Sequence, residues 1–176
     1  LSHRVPSFAF SIYIKSIQKK LDTQALTQLG VPQGDMWGHL KRGYDVKFDG
    51  KTLKAQDFIK IQNHQVHAII GGDNDQPELL ADACKDAQLL IHESTYLQTV
   101  LDKVGKGPMH SSAKMVAEFA EQQSLSNLIL THFSPRHQDK AGQQAITEEV
   151  RQFYKGHFYL ANDFDEFTLN EAGQLL

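Results

Sequence analysis

The segment LILTHFSPRH, residues 128–137, begins as an apolar run and ends in a cluster of polar residues. Its first half is rich in Leu and Ile and is typical of a buried strand. Its second half places His132, Ser134 and Arg136 directly after that strand. In α/β sheets, groups that bind ligands gather at the carboxyl ends of the strands. The segment therefore predicts a strand that carries functional side chains to one edge of a sheet.

From residue 66 to the end of the chain, patterns typical of strands and of helices alternate. Short apolar runs are separated by single amphipathic stretches, which is typical of an α/β (α+β layered) domain. Ser111 or Ser112 is the expected N-cap of one of these helices, and proline opens another. The predicted strands are 66–72, 87–92, 127–132, 157–161 and 166–170, and the predicted helices are 77–86, 111–124 and 141–154.

The N-terminal third has a different pattern. SFAFSIYI, residues 7–14, predicts a strand, and DTQALTQLG predicts a short helix with Asp22 as N-cap and Gly30 as its end. Residues 31–51 hold four glycines and show no sustained period, which indicates a projecting loop with an exposed Trp37. The Asp-Gly pair within this stretch predicts a hairpin.

Composition limits the class of protein. The chain has 176 residues with 40% apolar content, typical of a globular domain, and no apolar run long enough to span a membrane. Its single cysteine, Cys84, excludes an intrachain disulfide and favours a reducing compartment, so we expect a cytoplasmic protein. The N-terminus lacks Met and any signal layout, which indicates a chain that begins part-way through a fold.

Charge is unevenly distributed along the chain. Residues 1–60 hold ten Lys or Arg and five acids, whereas the whole chain has a net charge of -3. The early basic excess is compatible with a phosphate-rich partner, although such runs are also common on solvated faces.

Three predicted strand ends carry residues that suit a metal site. Asp73 follows the first, His92 with Glu93 the second, and His132 the third. Carboxylates and neutral imidazoles are the usual non-sulfur ligands of zinc. The glycines before Asp73 would leave room beside its carboxylate. The alternative is that Asp73 only caps the helix near Pro77.

Further residues suit acid catalysis and phosphate binding. His110 precedes a predicted helix, and Glu93 could pair with it to form a general acid. Arg136 offers planar donors to a phosphate and Ser134 a hydroxyl, while a surface ion pair is the alternative for Arg136. His3 lies before a strand, and a lone histidine of this kind is more often structural.

Six motifs occur in order along the chain, and they are HRVPSFAFSI, GGDND, LLIHEST, MHSSA, LILTHFSPRH and LANDF. Together they resemble the C-terminal part of ribonuclease Z, the tRNA 3′-processing endonuclease of the metallo-β-lactamase superfamily. The resemblance covers essentially all 176 residues. It implies the C-terminal half of a metallo-β-lactamase αββα sandwich with a projecting arm, as a single partial domain over 1–176 with the flexible arm at 22–60.

The resemblance also implies roles for individual residues. Asp73 would bridge two zinc ions, His3 would complete the shell of one ion and His132 that of the other. His110, oriented by Glu93, would protonate the departing 3′ oxygen. The residues implied to contact RNA are Ser134 and Arg136 near the scissile phosphate, and Lys41 and Arg42 on the tRNA-binding arm.

The sequence departs from the family pattern at one important place. The family's His-x-His-x-Asp-His run does not occur, and three ligands cannot complete two tetrahedral shells. We therefore expect the C-terminal portion of a zinc-dependent homodimeric enzyme that removes the 3′ trailer from precursor tRNA, with this chain alone inactive. The alternatives are a non-catalytic RNA-binding or dimerising module, and a superfamily hydrolase acting on small phosphodiesters.

Overall fold

The computed structural model describes residues 1–176, which form two compact units, Leu1–Ile14 with Val66–Leu176 and Lys15–Gln65. The strands are β1 (Ala9–Leu21), β2 (Val46–Phe48), β3 (Lys51–Leu53), β4 (Ile59–Gly71), β5 (Leu89–Glu93), β6 (Asn127–Thr131) and β7 (His157–Leu160). The helices are α1 (Thr23–Gln28), α2 (Asp35–Lys41), α3 (Ala55–Phe58), α4 (Ala81–Cys84), α5 (Gln98–Val104), α6 (Ala113–Gln122) and α7 (Lys140–Phe153). Two 3-10 turns cover Pro77–Leu80 and Pro135–His137.

A five-stranded sheet with the order β1-β4-β5-β6-β7 forms the framework of the first unit. The strands β4, β5, β6 and β7 run parallel, and Glu93 lies beside Thr131 at the carboxyl ends of β5 and β6. Because the strands are parallel, their carboxyl ends meet at one edge of the sheet. The predicted α/β class is confirmed.

Both faces of β5 and β6 are covered, which explains why Leu89–Ile91 and Leu128–Leu130 are apolar without alternation. Leu128 and Leu130 pack into one buried cluster with α6 and α7, whereas Ile129 packs with Leu89 and Leu175 on the opposite face. This alternation follows from the period of two of a strand. Each fully buried Leu or Ile contributes about 1.5–3 kcal/mol relative to exposure. The central strands are therefore held firmly, and their ends are well placed to carry a site.

Side-chain caps fix the starts of three helices. Asp22 accepts a hydrogen bond from Ala25 N at 3.1 Å, which confirms the predicted cap of α1. Of the two serines considered for α6, Ser112 is the cap and accepts from Met115 N at 3.2 Å. Asp139 caps α7 in the same way.

The second unit has its own small core. Its fully buried apolar side chains come from all three of its helices and from the loop after α1, and they are Leu26, Val31, Leu40, Ala55 and Phe58. The Asp-Gly hairpin is confirmed, because β2 and β3 pair antiparallel around Asp49 (φ 47°) and Gly50 (φ 71°). Positive φ at both positions is what a type I′ turn requires.

The prediction that residues 31–51 form a loop with an exposed Trp37 was wrong. Residues 35–41 form α2, and Trp37 is half-buried with its Nε1 donating to Val31 O at 3.1 Å. Gly38 obscured the helical pattern, because glycine has a poor helix propensity, whereas Gly34 precedes the helix as its N-cap residue. Packing of Leu40 and Trp37 on the small core overrides that weak propensity.

Two further predictions need correction. Residues 77–86 form a 3-10 turn followed by the four-residue α4, not one continuous helix. Residues 166–170 form no strand and contribute a single bridge between Leu169 and Leu175. No helix in the chain is both long enough and apolar enough to cross a membrane.

Candidate metal centre

Asp73 lies between two histidines just beyond the carboxyl end of β4. The Nε2 atom of His3 is 3.6 Å from Asp73 Oδ2, and the Nε2 atom of His132 is 3.8 Å from Asp73 Oδ1. Each imidazole thus faces a different oxygen of one carboxylate. The N-cap position of the turn at Pro77 is Gln76, which makes no side-chain capping hydrogen bond, so Asp73 is not the cap of this turn.

The tautomer of His3 follows from its hydrogen bond. Its Nδ1 lies 2.9 Å from the backbone oxygen of Met109. Because a carbonyl can only accept, Nδ1 carries the proton and Nε2 presents a lone pair toward Asp73. Fixing one ring nitrogen through a backbone carbonyl is how proteins commonly orient a metal-binding imidazole.

The tautomer of His132 follows from a chain of two hydrogen bonds. Thr95 Oγ1 donates to Glu93 Oε2 at 2.8 Å, and the same oxygen lies 2.9 Å from His132 Nδ1. Since the Thr95 hydroxyl donates its only proton to Glu93, it can only accept from His132, and Nδ1 of His132 is therefore the donor. His132 therefore presents a bare Nε2 as well. It also adopts φ 58°, a strained conformation that costs about 1–3 kcal/mol and is common at functional sites.

Glu93 is buried and accepts five hydrogen bonds from four residues. Its Oε1 accepts from Asn74 N at 3.2 Å, Ser111 N at 2.9 Å and His110 Nδ1 at 3.1 Å. Its Oε2 accepts from Thr95 N at 3.0 Å and Thr95 Oγ1 at 2.8 Å. The carboxylate fixes the ring of His110 and, through Thr95, that of His132.

His110 stands at the centre of the cluster. Its ring lies 4.9 Å from that of His3 and 5.1 Å from that of His132, measured between centroids. Because its Nδ1 donates to Glu93, its Nε2 is the atom left for a substrate or an ion. A general acid must be held within hydrogen-bond reach of its substrate, and the bond to Glu93 fixes the ring for that task.

Sequence reasoning missed the part played by Asn74, which is fully buried. Its Oδ1 accepts from Ser2 N at 3.1 Å and Gln76 N at 3.3 Å. Its Nδ2 donates to Gln76 O at 2.9 Å and contacts His92 Nε2 at 3.1 Å. Asn74 thus ties the N-terminal segment that carries His3 to the loop that carries Asp73. No sequence pattern could have signalled this role, because its partners are spread over 90 residues of chain.

His92 belongs to the scaffold and is not available as a ligand. Its Nδ1 donates to Glu93 O at 2.7 Å, and its Nε2 accepts from Asn74 Nδ2. Burial lowers the pKa of His92, which keeps the ring neutral.

This buried ring predicts acid sensitivity. The pKa of His92 lies below its ordinary value of 6.5, so the unfolded chain binds a proton that the folded chain excludes. The free energy of unfolding should therefore fall as the pH drops below about 6.5. Urea denaturation of the metal-free chain at pH 7.5 and 5.5 measures the loss. His92→Gln, which keeps a donor and an acceptor, should lose less stability over that interval than the wild type, and an equal or larger loss would contradict the assignment.

The two glycines before Asp73 lie in close contact with neighbouring backbone. A Cβ on Gly72 would lie 2.9 Å from Ser7 Oγ and 3.1 Å from Phe8 O, and Gly72 N donates to Phe8 O at 3.0 Å. A Cβ on Gly71 would lie 3.3 Å from Ile91 O. The glycines let neighbouring backbone approach, and that contact sets the position of the loop that carries Asp73.

The donor set fits zinc. Two sets of side chains have ligand atoms within 4.8 Å of one another, His3 with Asp73 and His110, and Glu93 with His110 and His132. The second set is the weaker candidate, because Glu93 has its oxygens occupied by five donors. Zinc binds nitrogen and oxygen at about 2.0–2.2 Å, so two ligands of one ion lie roughly 3–3.6 Å apart. The separations between Asp73 and its two imidazoles are close to that range.

Ser134 and Arg136 differ in their surroundings. Ser134 is buried, its backbone N donates to Thr95 O at 3.0 Å, and its Oγ lies 3.5 Å from Arg136 N. It caps the turn that follows His132. Arg136 is exposed and forms no ion pair, so its guanidinium remains available to an anion. In the second unit, Lys41 ends α2 and Arg42 follows it, both exposed.

The fold and this cluster define an α/β protein with a candidate metal centre at the carboxyl edge of a parallel sheet. No family model matches the chain. Ribonuclease Z of Marinobacter nauticus is 44% identical over 99% of this chain and 56% of its own length. Ribonuclease Z of Pseudomonas putida strain W619 is 40% identical over 99% of this chain and 56% of its own length. Zinc phosphodiesterase ELAC protein 1 of Bos taurus is 40% identical over 80% of this chain and 39% of its own length.

The chain is a homologue of the C-terminal part of ribonuclease Z, and it is thereby related to zinc phosphodiesterases. It spans little more than half the length of the ribonuclease Z relatives it matches. Among solved structures, the metallo-β-lactamase fold protein YhfI of Bacillus subtilis aligns with a TM-score of 0.46 and 17% identity, over 58% of this chain and 42% of its own. The human short form of tRNase Z aligns with a TM-score of 0.41 and 25% identity, over 69% of this chain and 40% of its own.

Proposed function

We propose that this chain is the C-terminal portion of a zinc-dependent endoribonuclease that removes the 3′ trailer from precursor tRNA. The proposal rests on one observation. The unprotonated Nε2 atoms of His3 and His132 face the two oxygens of Asp73. A carboxylate flanked in this way suits a bridge between two ions. The ligands that this chain lacks correspond to the family's His-x-His-x-Asp-His run.

Each residue of the site then has a defined task. His3, Asp73 and His132 hold zinc, which when bound acts as a Lewis acid toward a phosphate oxygen. His110 holds a proton at Nε2 for the departing 3′ oxygen, and Glu93 keeps its ring oriented through Nδ1. The exposed Arg136 contacts the scissile phosphate, while the buried Ser134 holds the turn that presents Arg136.

The second unit supplies the proposed contact with the body of the tRNA. Residues 15–65 hold nine Lys or Arg and five acids, a local excess of positive charge. Lys41 and Arg42 are exposed at the end of α2, where they can reach the phosphate backbone. Such contacts position an RNA without reading its sequence.

The proposal is tested by restoring the missing ligands. A chimera joins the N-terminal segment of the Marinobacter nauticus enzyme, which precedes the matched region, to residues 1–176 of this chain. With zinc, the chimera should release the trailer from a 3′-extended tRNA, whereas this chain alone should not. The same chimera with His110→Ala should be slower by about 10²–10⁴-fold. A folded, zinc-loaded chimera that leaves the RNA intact would refute the proposal, and full activity of this chain alone would show that no missing half is needed.

The basic second unit also favours a second function, that of a non-catalytic RNA-binding module. A gel-shift titration with precursor tRNA, comparing the wild type with Lys41→Ala plus Arg42→Ala, measures RNA binding directly. Binding by this chain together with an inactive chimera would favour this second function over catalysis.

The proposed enzyme is a homodimer, and an exposed apolar face supports self-association of the chain. In the first unit, β1 and the residue before it expose Phe8 (68%), Phe10 (65%) and Ile14 (62%). Contiguous exposed apolar side chains commonly mark an interface. We expect size-exclusion chromatography with light scattering to show a dimer or larger species, reduced by Phe10→Ser plus Ile14→Ser. A compact wild-type monomer would contradict this expectation.

A cytoplasmic location is part of the same proposal. Cys84 is a free, buried thiol whose pKa burial raises to about 11. A thiol of this kind is inert and suits a reducing compartment.

A further inference from the structure

A four-residue turn in the first unit presents a fully exposed aromatic side chain. Asp165 N donates to Asn162 O at 3.1 Å and closes the turn, and Asp165 Oδ2 accepts from the N and Nδ2 atoms of Asn162 at 2.8 and 3.1 Å. Phe164 is the third residue of this turn, and its relative exposure is 101%. Phe167 packs against Tyr159, with the ring centroids 5.5 Å apart, and anchors the end of the loop. Phe164 is therefore held in solvent by a well-defined turn.

The backbone conformation at Phe164 is unfavourable for phenylalanine. Its φ angle is 71°, in the left-handed region. A turn with a positive φ at its third residue usually has glycine there, because a Cβ atom crowds the backbone in this conformation. An exposed phenyl ring also gains nothing from the hydrophobic effect. A strained, exposed aromatic residue of this kind points to a function in binding.

The residues on both sides of Phe164 are acidic. Asp163, Asp165 and Glu166 are all exposed, and residues 161–176 contain no Lys or Arg. We call residues 162–166 the acidic loop. A surface that binds this loop has to offer an apolar pocket for one aromatic ring, with positive charge around it.

The second unit contains a pocket with these properties, which we call the basic pocket. Its volume is about 380 Å³, enough for an aromatic side chain, and Leu21 and Trp37 form its apolar wall. Lys19, Lys20 and Lys41 line the same pocket and are exposed. None of these three lysines forms an ion pair within the chain. The pocket and the acidic loop are complementary in shape and in charge.

We propose that the acidic loop of one chain docks in the basic pocket of a second chain, with Phe164 against Trp37 and the loop carboxylates beside the lysines. Pairs of aromatic rings attract one another, and lysine ammonium groups interact favourably with the face of an aromatic ring. The two chains contribute different surfaces, so the contact joins them head to tail. It is small, so we expect a weak association that salt weakens further.

This contact goes beyond the proposed function and is separate from the exposed face of β1. Its consequence is competition with RNA, because Lys41 lines the basic pocket and is also a proposed contact with the tRNA backbone. RNA phosphates require only the positive charge of the pocket. The apolar wall formed by Leu21 and Trp37 favours the acidic loop as the occupant. Docking of the loop would therefore lower the affinity of the second unit for RNA.

Fluorescence of Trp37 tests the contact directly, because Trp37 is the only tryptophan of the chain. The acceptor chain is Phe164→Ser, which keeps Trp37 and lacks the ring of the loop. The donor chain is Trp37→Phe, which keeps Phe164 and has no tryptophan emission. Titrating the donor into dilute acceptor should move the Trp37 emission to shorter wavelength and saturate. A control donor with both substitutions keeps the face of β1 and should bind at least about 30-fold more weakly, the loss typical of a hot-spot residue.

Charge reversal tests the part played by the lysines. Lys19→Glu plus Lys20→Glu in the acceptor should weaken binding of the donor about tenfold, the value of two exposed ion pairs. Asp163→Lys plus Glu166→Lys in the donor should restore the binding. Lys47→Glu plus Lys51→Glu is the matched control, because this pair of exposed lysines is in the second unit but does not line the basic pocket. It should leave the affinity unchanged.

Three results would overturn the inference. If the donor and the control donor change the emission equally, or neither changes it, Phe164 does not enter the pocket. If precursor tRNA shifts the Trp37 emission and the donor does not, the pocket is an RNA site. If the chimera carrying Trp37→Phe fails as a donor although the 176-residue donor binds, the N-terminal segment covers Phe164 in place of a second chain. If the donor binds and tRNA does not displace it, the docking contact stands and the proposed RNA contact of Lys41 is refuted.

Discussion

Replacing Glu93 by alanine should lower the free energy of unfolding by about 3–5 kcal/mol, the range seen when one partner of a buried charged network is removed. The substitution leaves the backbone N–H groups of Asn74, Thr95 and Ser111 without an acceptor in the buried interior. Each buried donor without a partner costs about 1–3 kcal/mol. Urea denaturation followed by circular dichroism measures the change.

A matched substitution distinguishes loss of the hydrogen-bond network around Glu93 from loss of any carboxylate that accepts backbone hydrogen bonds. Glu149 also accepts from backbone N–H groups, those of Gln98 and Lys114 at 3.0–3.2 Å, but it lies on α7 away from the histidines. Glu149→Ala should destabilise the chain and leave the histidine resonances unchanged. Glu93→Ala should also release the rings of His110 and His132, seen as a shift in their imidazole ¹⁵N signals. If Glu93→Ala cost less than 1 kcal/mol, the central role assigned to Glu93 would be wrong.

Part of the site followed from the sequence because it depends on local patterns. Asp73 and His132 stand directly after strands, and parallel strands bring such residues to one edge. The caps of α1 and the Asp-Gly hairpin were predictable for the same reason, since each rule involves only a few neighbouring residues. His3 could be placed only by family resemblance, because no local pattern connects residue 3 with residue 109, whose carbonyl orients it.

The features that escaped prediction depend on contacts distant in sequence. Asn74 links the segments around residues 2 and 92. No pattern in the sequence around Asn74 indicates either contact. The helix α2 forms despite Gly38 because Leu40 and Trp37 join a core built from other segments. The tautomers of His3 and His132 depend on which atoms stand opposite their Nδ1 atoms. The sequence therefore predicts which side chains lie at the carboxyl edge of the sheet, whereas the orientation of those side chains depends on the tertiary structure.

Replacing Asp73 by asparagine should reduce the zinc affinity of this chain at least 10–100-fold, roughly the loss known for weaker perturbations of metal sites. The carboxylate turns one oxygen toward His3 and the other toward His132. An amide turns its NH₂ group toward one of the two imidazoles, so it has no second oxygen for an ion on that side. Competition with a chromophoric chelator measures the affinity. Because three ligands cannot complete two tetrahedral shells, we expect even the wild-type chain to bind zinc weakly.

Asp75→Asn is the matched control, because Asp75 is on the same loop but is in neither set of candidate ligands. Both substitutions remove one negative charge, so a loss shared by both would reflect long-range electrostatics. A loss confined to Asp73→Asn, with the urea midpoint unchanged, requires that the carboxylate itself contacts the ion. If Asp73→Asn and the wild type bind zinc equally at pH 7.5, then Asp73 is not a ligand, and the two histidines must be explained as scaffold like His92.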